Sequence, residues 1–113
     1  VHDDHEATHS EWVRPREALE RYRDQQIDLA PPQIQSLAHL ARHRTVADVI
    51  GEARLRPPPV IRPEPFEENG ARVLTYPGDP RHSERTRALP GPTRLIHRAG
   101  RFEPLDGFEA FFA

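Results

Sequence analysis

The stretch "RTVADVIGEARLRPPPVIR" (residues 44–62) divides the chain into two kinds of sequence. Thr45 stands where an N-cap belongs, with Asp48 three residues on as a weak capping-box partner. Val46, Val49, Ile50 and Ala53 then recur at i, i+3, i+4 and i+7, so the spacing predicts a helix over 46–54. Pro57, Pro58 and Pro59 end it, because proline lacks the N–H and clashes with the preceding turn. Beyond them the pattern turns β-like: Val60-Ile61, "ARVLTY" (71–76) and "TRLIHR" (93–98). "RAGRFEP" (98–104) reads as a turn on Gly100 leading into a further short strand. Helices first and strands after is the signature of an α+β chain, not of alternating βαβ units.

Two more helices precede this boundary. "RPREALERYRDQ" (14–25) starts well at Pro15 and puts Ala18, Leu19 and Tyr22 on one face. "IDLAPP" (27–32) is an extended linker, since a residue before proline is pushed out of the helical region. "PPQIQSLAHLARH" (31–43) carries a stripe of Ile34, Leu37, Ala38 and Ala41, widened by Leu40, and is expected to form a helical hairpin with 46–54. Residues 1–10 are polar and loop-like, and "EWV" (11–13) reads as a short strand. Trp12 and Tyr22 are expected in the core. Residues 77–92 form a polar loop rich in proline and glycine, and "DGFEAFFA" (106–113) is a phenylalanine-rich tail suited to docking as a helical turn, a strand or a subunit contact. The division that follows is 1–55, loop, strand and helices, and 56–113, a proline-rich β extension with its tail.

The composition narrows the function classes. The chain has 113 residues and no cysteine, so disulfide frameworks and Cys-ligated zinc are excluded. Its formal charge is −2, and all 16 basic residues are arginine. A general nucleic-acid or membrane-surface binder would carry a basic excess. No apolar run approaches the roughly 18 residues of a membrane span, and no signal peptide leads the chain. A cytoplasmic location is expected. Thirteen prolines and 35% apolar content leave a thin core, which suggests a fragment or a processed chain. Such a chain should leave hydrophobic strand edges open or paired with another chain.

Several side-chain groups invite a chemical reading. His2, His5 and His9, with Asp3, Asp4 and Glu6, offer imidazole and carboxylate ligands, but their spacing fits no specific zinc pattern. His39 and His43 lie at i, i+4 and are expected on an exposed polar face. Arg81, Arg85 and Arg87 cluster beside Gly78 and could cradle a phosphate, against which stands a solvated loop whose arginines are offset by Asp79 and Glu84. His82 is expected at the surface, and Asp79 as a turn former. "REALE" (16–20) resembles the kernel of a magnesium-binding helix, but Arg21 and Arg23 stand where that motif needs glutamate and glycine. It reads as an ordinary surface face on which Glu17 and Arg21 pair.

The order of the elements resembles a known family. Glu6, then Glu11-Trp12-Val13, then Pro15-Arg16-Glu17-Ala18-Leu19, then Ile27-Asp28-Leu29-Ala30-Pro31-Pro32 resemble the segment that follows the signature helix in Nudix hydrolases. "RPPPVIRP", "YPGDPRHSE" and "GPTRLIHRAGRFEP" are similar to the C-terminal extension of a bacterial subgroup related to peroxisomal coenzyme A diphosphatases. The resemblance covers about residues 6–104, with Gln33 in place of that subgroup's threonine.

The resemblance implies the C-terminal part of a Nudix α/β/α sandwich with a helical pair and a β-hairpin extension. Its parent would use Mg2+ or Mn2+ to cleave a diphosphate linkage in a coenzyme A derivative or another nucleotide. Glu6 would fall at the general-base position, and Arg81 and Arg85 would contact substrate. The signature helix itself is absent from these 113 residues, so the isolated chain is expected to be inactive. The missing N-terminal half or a homodimer partner would complete the fold, with no nucleic acid or membrane involved. The alternatives are a non-catalytic interaction module, with the helical pair and aromatic tail as its partner surface, and a histidine-rich metal-binding fragment.

Overall fold

A computed structural model describes residues 10–112. Its elements run α1 (Pro15–Arg23), α2 (Pro31–Ala41), α3 (Val46–Ala53), β1 (Glu64–Glu68), β2 (Ala71–Thr75), β3 (Arg94–Arg98), β4 (Arg101–Pro104) and a terminal 3₁₀ turn (Phe108–Phe112). The fold is α+β. The strands make one antiparallel meander in the order β1-β2-β3-β4.

The helix boundaries follow local chemistry. Pro15 and Pro31 open α1 and α2. Gln33 reaches back to accept from the Ala30 N–H at 2.8 Å, which gives this glutamine a capping role. Thr45 Oγ1 accepts from the Asp48 N–H at 3.1 Å and caps α3.

Register places the core. Pro65, Leu74, Leu95 and Pro104 stand opposite one another across all four strands, so they share one face of the sheet. Leu19 and Tyr22 of α1, Ile34 and Ala38 of α2, Tyr76 and Phe111 join Leu74 and Leu95 in a single buried cluster. The predicted face of α1, Ala18, Leu19 and Tyr22, is the buried one. Tyr22 also secures the free edge of β4. Its hydroxyl donates to the Phe102 carbonyl at 2.7 Å and accepts from the Phe102 N–H at 3.0 Å.

Several expectations are corrected. Residues 11–13 form no strand, and Trp12 is 101% exposed. Both sheet edges are polar and carry proline ("EPFEE" and "RFEP"), features that disfavour pairing with a further strand. The same composition replaces the open hydrophobic edges that were expected. Val60-Ile61 also forms no strand, although Ile61 packs against the core.

The packed helical pair is α1 with α2, not α2 with α3. No residue of α3 is buried, and its apolar stripe faces outward, with Val46 at 75% exposure. A side-chain clasp ties α3 to α2 instead: His39 and His43 both turn Nε2 to the same Glu52 oxygen, and Arg56 holds the other. The two imidazoles are therefore half-buried against a carboxylate, not displayed on a polar face.

The two hairpin turns differ in chemistry. Asn69-Gly70 turns β1 into β2 with φ of 53° and 79°, the type I′ pairing that asparagine and glycine accept readily. Ala99-Gly100 turns β3 into β4 with φ of 51° and 78°, which forces an alanine into the left-handed region. Ala99→Gly is therefore expected to stabilise the fold by roughly 0.5–1 kcal/mol, after the extra chain entropy of glycine is subtracted. Chemical denaturation followed by far-UV circular dichroism measures it, and a lowered midpoint would show that the turn holds no strain.

Candidate functional site

The loop after β2 is built around Asp79, one of the few buried charges. Its Oδ1 accepts from the Arg81 N–H at 2.8 Å, a local turn-forming bond. Its Oδ2 accepts from Thr93 Oγ1 at 2.9 Å, and Arg94 grips both oxygens at 2.7 and 3.1 Å. Burial pushes the carboxyl upward, but the bonds from Arg94, Arg81 and Thr93 outweigh it and hold Asp79 below the usual carboxylate range.

His82 is buried, a correction to its expected surface position. It is sequestered because both ring nitrogens find backbone partners. Nδ1 accepts from the Glu84 N–H at 2.9 Å, which leaves Nε2 to donate to the Arg62 carbonyl at 2.6 Å. Ser83 donates its backbone N–H and its hydroxyl to Glu64, and the hydroxyl bond is the larger cause of that carboxyl's depression. The loop is thus pinned to β1 and β3, and its polar groups are spent on that.

The arginines proposed for phosphate have separate surroundings. Arg81 lies over the Phe66 ring at 4.1 Å, with Arg94 at 5.4 Å from the same ring. Arg87 donates to the Gly91 carbonyl at 2.6 Å. Arg85 is exposed. Gly78, at φ 99°, cannot be replaced without a clash, because a Cβ there would sit 3.0 Å from the Arg87 backbone. Glu6, His2, His5 and His9 lie outside the described residues.

A more concave site lies at the opposite end of the sheet. A cavity of about 340 Å³ opens between the end of α1, the β3–β4 hairpin and the terminal 3₁₀ turn. Tyr22, Arg23, Arg98, Arg101, Phe102 and Phe108 form its working walls. Arg101 stacks 3.9 Å from the Tyr22 ring and donates to the Ile27 carbonyl at 2.7 Å. Its buried Nε–H has no hydrogen-bond partner among the described residues. Arg23 stacks 4.6 Å from Phe108 and bonds the neighbouring Asp24 along its edge. Arg98 pairs with Glu103 at 3.0 Å across half-exposed side chains, an arrangement of little energetic weight.

The sequence predicts a turn on Gly100 leading into a short strand at "RAGRFEP", and β4 is that strand, but the pattern marks no site there. The signal was present: a two-residue turn at Ala99-Gly100 places Arg98 directly opposite Arg101 in the antiparallel register. What the pattern could not show is that Arg23 and the phenylalanine tail close over the same hairpin.

No protein-family model, curated protein or solved structure matches the chain. No helix among the described residues is long and apolar enough to cross a membrane.

Proposed function

We propose that this chain is the C-terminal part of a Nudix-type hydrolase that cleaves a diphosphate linkage in a nucleotide-like substrate such as a coenzyme A derivative. Supporting this reading is the ordered resemblance over residues 6–104. The single structural observation that favours it is Trp12. The resemblance makes residues 11–13 the last core strand of the sandwich. In the described chain they pair with nothing, and the indole is wholly exposed. A tryptophan seldom stands fully in water when a core is available to it.

The metal requirement is not met by the described residues. No group of three or more His, Cys, Asp or Glu among them is placed to hold an ion. The His39–His43–Glu52 clasp is already closed by direct Nε2–Oε2 contacts at 3.2 and 2.5 Å, which leave no room for an ion between these atoms. These residues would contribute packing and substrate-holding surface, while the metal helix, and with it the activation of water, comes from sequence outside them.

It follows that the purified 113-residue chain should release no product from coenzyme A or nucleoside-diphosphate compounds with either ion. Product chromatography over hours decides this, and metal-dependent turnover by that chain would sink the reading.

A second reading has its own observation. The outward stripe of α3, with Val46 and Ile50 exposed, suits an interaction module. Sedimentation separates the two. A module without enzymatic ancestry would give a stable, monodisperse complex through α3 that survives when Trp12 is replaced by Ser.

A further inference from the structure

The hairpin cavity has features that the hydrolase reading does not use, and we infer that it is a binding site for a nucleoside monophosphate: Arg23, Arg98 and Arg101 hold the phosphate while Phe102 and Phe108 flank the base. This goes beyond the proposed function and does not rest on it.

Charge is the first argument. The whole chain carries −2, yet the cavity wall gathers three guanidiniums, and the carboxylates that face them, Asp24, Glu103 and, at 3.8 Å from Arg101, Asp28, are all about half or more exposed. Cations gathered against the sign of the protein, in a concave site, attract an anion.

Orientation is the second. Arg23 and Arg101 are each laid flat on an aromatic ring. A stacked guanidinium keeps a fixed plane; the edge of Arg23 now bonds Asp24 in an exposed pair, and a phosphate would take that carboxylate's place with two parallel bonds. Arg98 would exchange an exposed carboxylate partner, Glu103, for a doubly charged phosphate.

The third argument is the lining. Phe102 is half-buried and in contact with His97 at 4.8 Å between ring centres, and Phe108 meets Phe111 edge-on at 5.9 Å. Arg23 already lies over one face of Phe108, so a flat heterocycle would meet the Phe102 ring and the edge of Phe108. The cavity, about 340 Å³, is within the size range of small-ligand sites. Inorganic phosphate alone would leave these rings unused, and a neutral ring alone would leave the guanidiniums unused.

The test is calorimetric titration of the full chain with AMP, adenosine and inorganic phosphate, in EDTA so that no metal-dependent chemistry intervenes. AMP is expected to bind more tightly than either part, by about tenfold or more. The Arg23→Ala/Arg98→Ala double variant is expected to lose at least about tenfold in AMP affinity, with its unfolding midpoint little changed because both side chains are about half exposed and their ion pairs carry little energy. Amide shifts on AMP addition should centre on Arg98, Gly100 and Phe108. Absence of AMP binding, AMP binding no tighter than phosphate or adenosine, or full affinity in the double variant would each overturn the assignment. None of these outcomes bears on whether the chain belongs to a hydrolase.

Discussion

Asp79→Ala is expected to lower the unfolding free energy by about 3–5 kcal/mol, toward the lower figure because Arg94 is partly exposed and can reach water once its partner is gone. The substitution removes the acceptor of four hydrogen bonds, two from Arg94, one from Thr93 and one from the Arg81 backbone. It also releases the turn that seats His82. Urea denaturation followed by far-UV circular dichroism measures the loss. The wholly exposed Trp12 would report folding poorly.

The same carboxylate sets an acid limit on the wild-type chain. The folded-state pKa of Asp79 lies below its ordinary value, so its contribution is fully present above about pH 4. That contribution fades as the pH falls through the lower folded value. Asp79→Ala should accordingly show a flatter stability profile below about pH 4. A profile as steep as the wild type's would mean that other carboxylates carry the acid response.

The second large effect concerns the terminal turn. Phe111 is only 2% exposed and packs with Leu19, Ile34 and Leu95 in the main core. Phe111→Ala should cost about 3–5 kcal/mol, the lost transfer energy plus the cavity left behind. Against a typical total of about 5–15 kcal/mol, that is enough to populate unfolded chain at moderate temperature. The Arg42 Nη2 bond to the Phe111 carbonyl at 3.1 Å is to the backbone and is left in place by the substitution, so the loss reports the ring alone. A loss below about 1 kcal/mol would mean that the tail rests on the surface and is not part of the core.

How much of this was legible in the sequence depends on the element. Periodicity found all three helices, because Ala18, Leu19, Tyr22 and Ile34 repeat on faces that the sheet does bury. The period misled at α3, where Val46 and Ile50 keep the same spacing but no layer covers them. Periodicity reports an apolar face, not whether this chain supplies its cover. β1 was missed because "EPFEE" is charged and contains proline, as edge strands often are. The signal for β1 lay in the turn after it: an Asn69-Gly70 pair demands a strand on either side.

The sites were less legible than the fold. The buried pairing of Asp79 with Arg94 joins residues 15 positions apart through a loop that looked solvated. The arginine-lined cavity needs Arg23 from α1 beside a hairpin more than 70 residues away. No local pattern encodes such meetings, because they depend on how α1 lies across the sheet. Glu6, the residue the Nudix resemblance marks for general-base work, falls outside the described residues, so its role rests on the resemblance alone.

The measurement that reaches the central proposal most directly is the intact mass of the native polypeptide that carries these residues, with peptide mapping from its N-terminus. The account predicts a mass well above that of residues 1–113 and, upstream of Val1, a peptide containing the Arg-Glu-x-x-Glu-Glu metal helix. A native polypeptide with the mass of residues 1–113 alone, or a longer one whose upstream sequence lacks that helix, would contradict it.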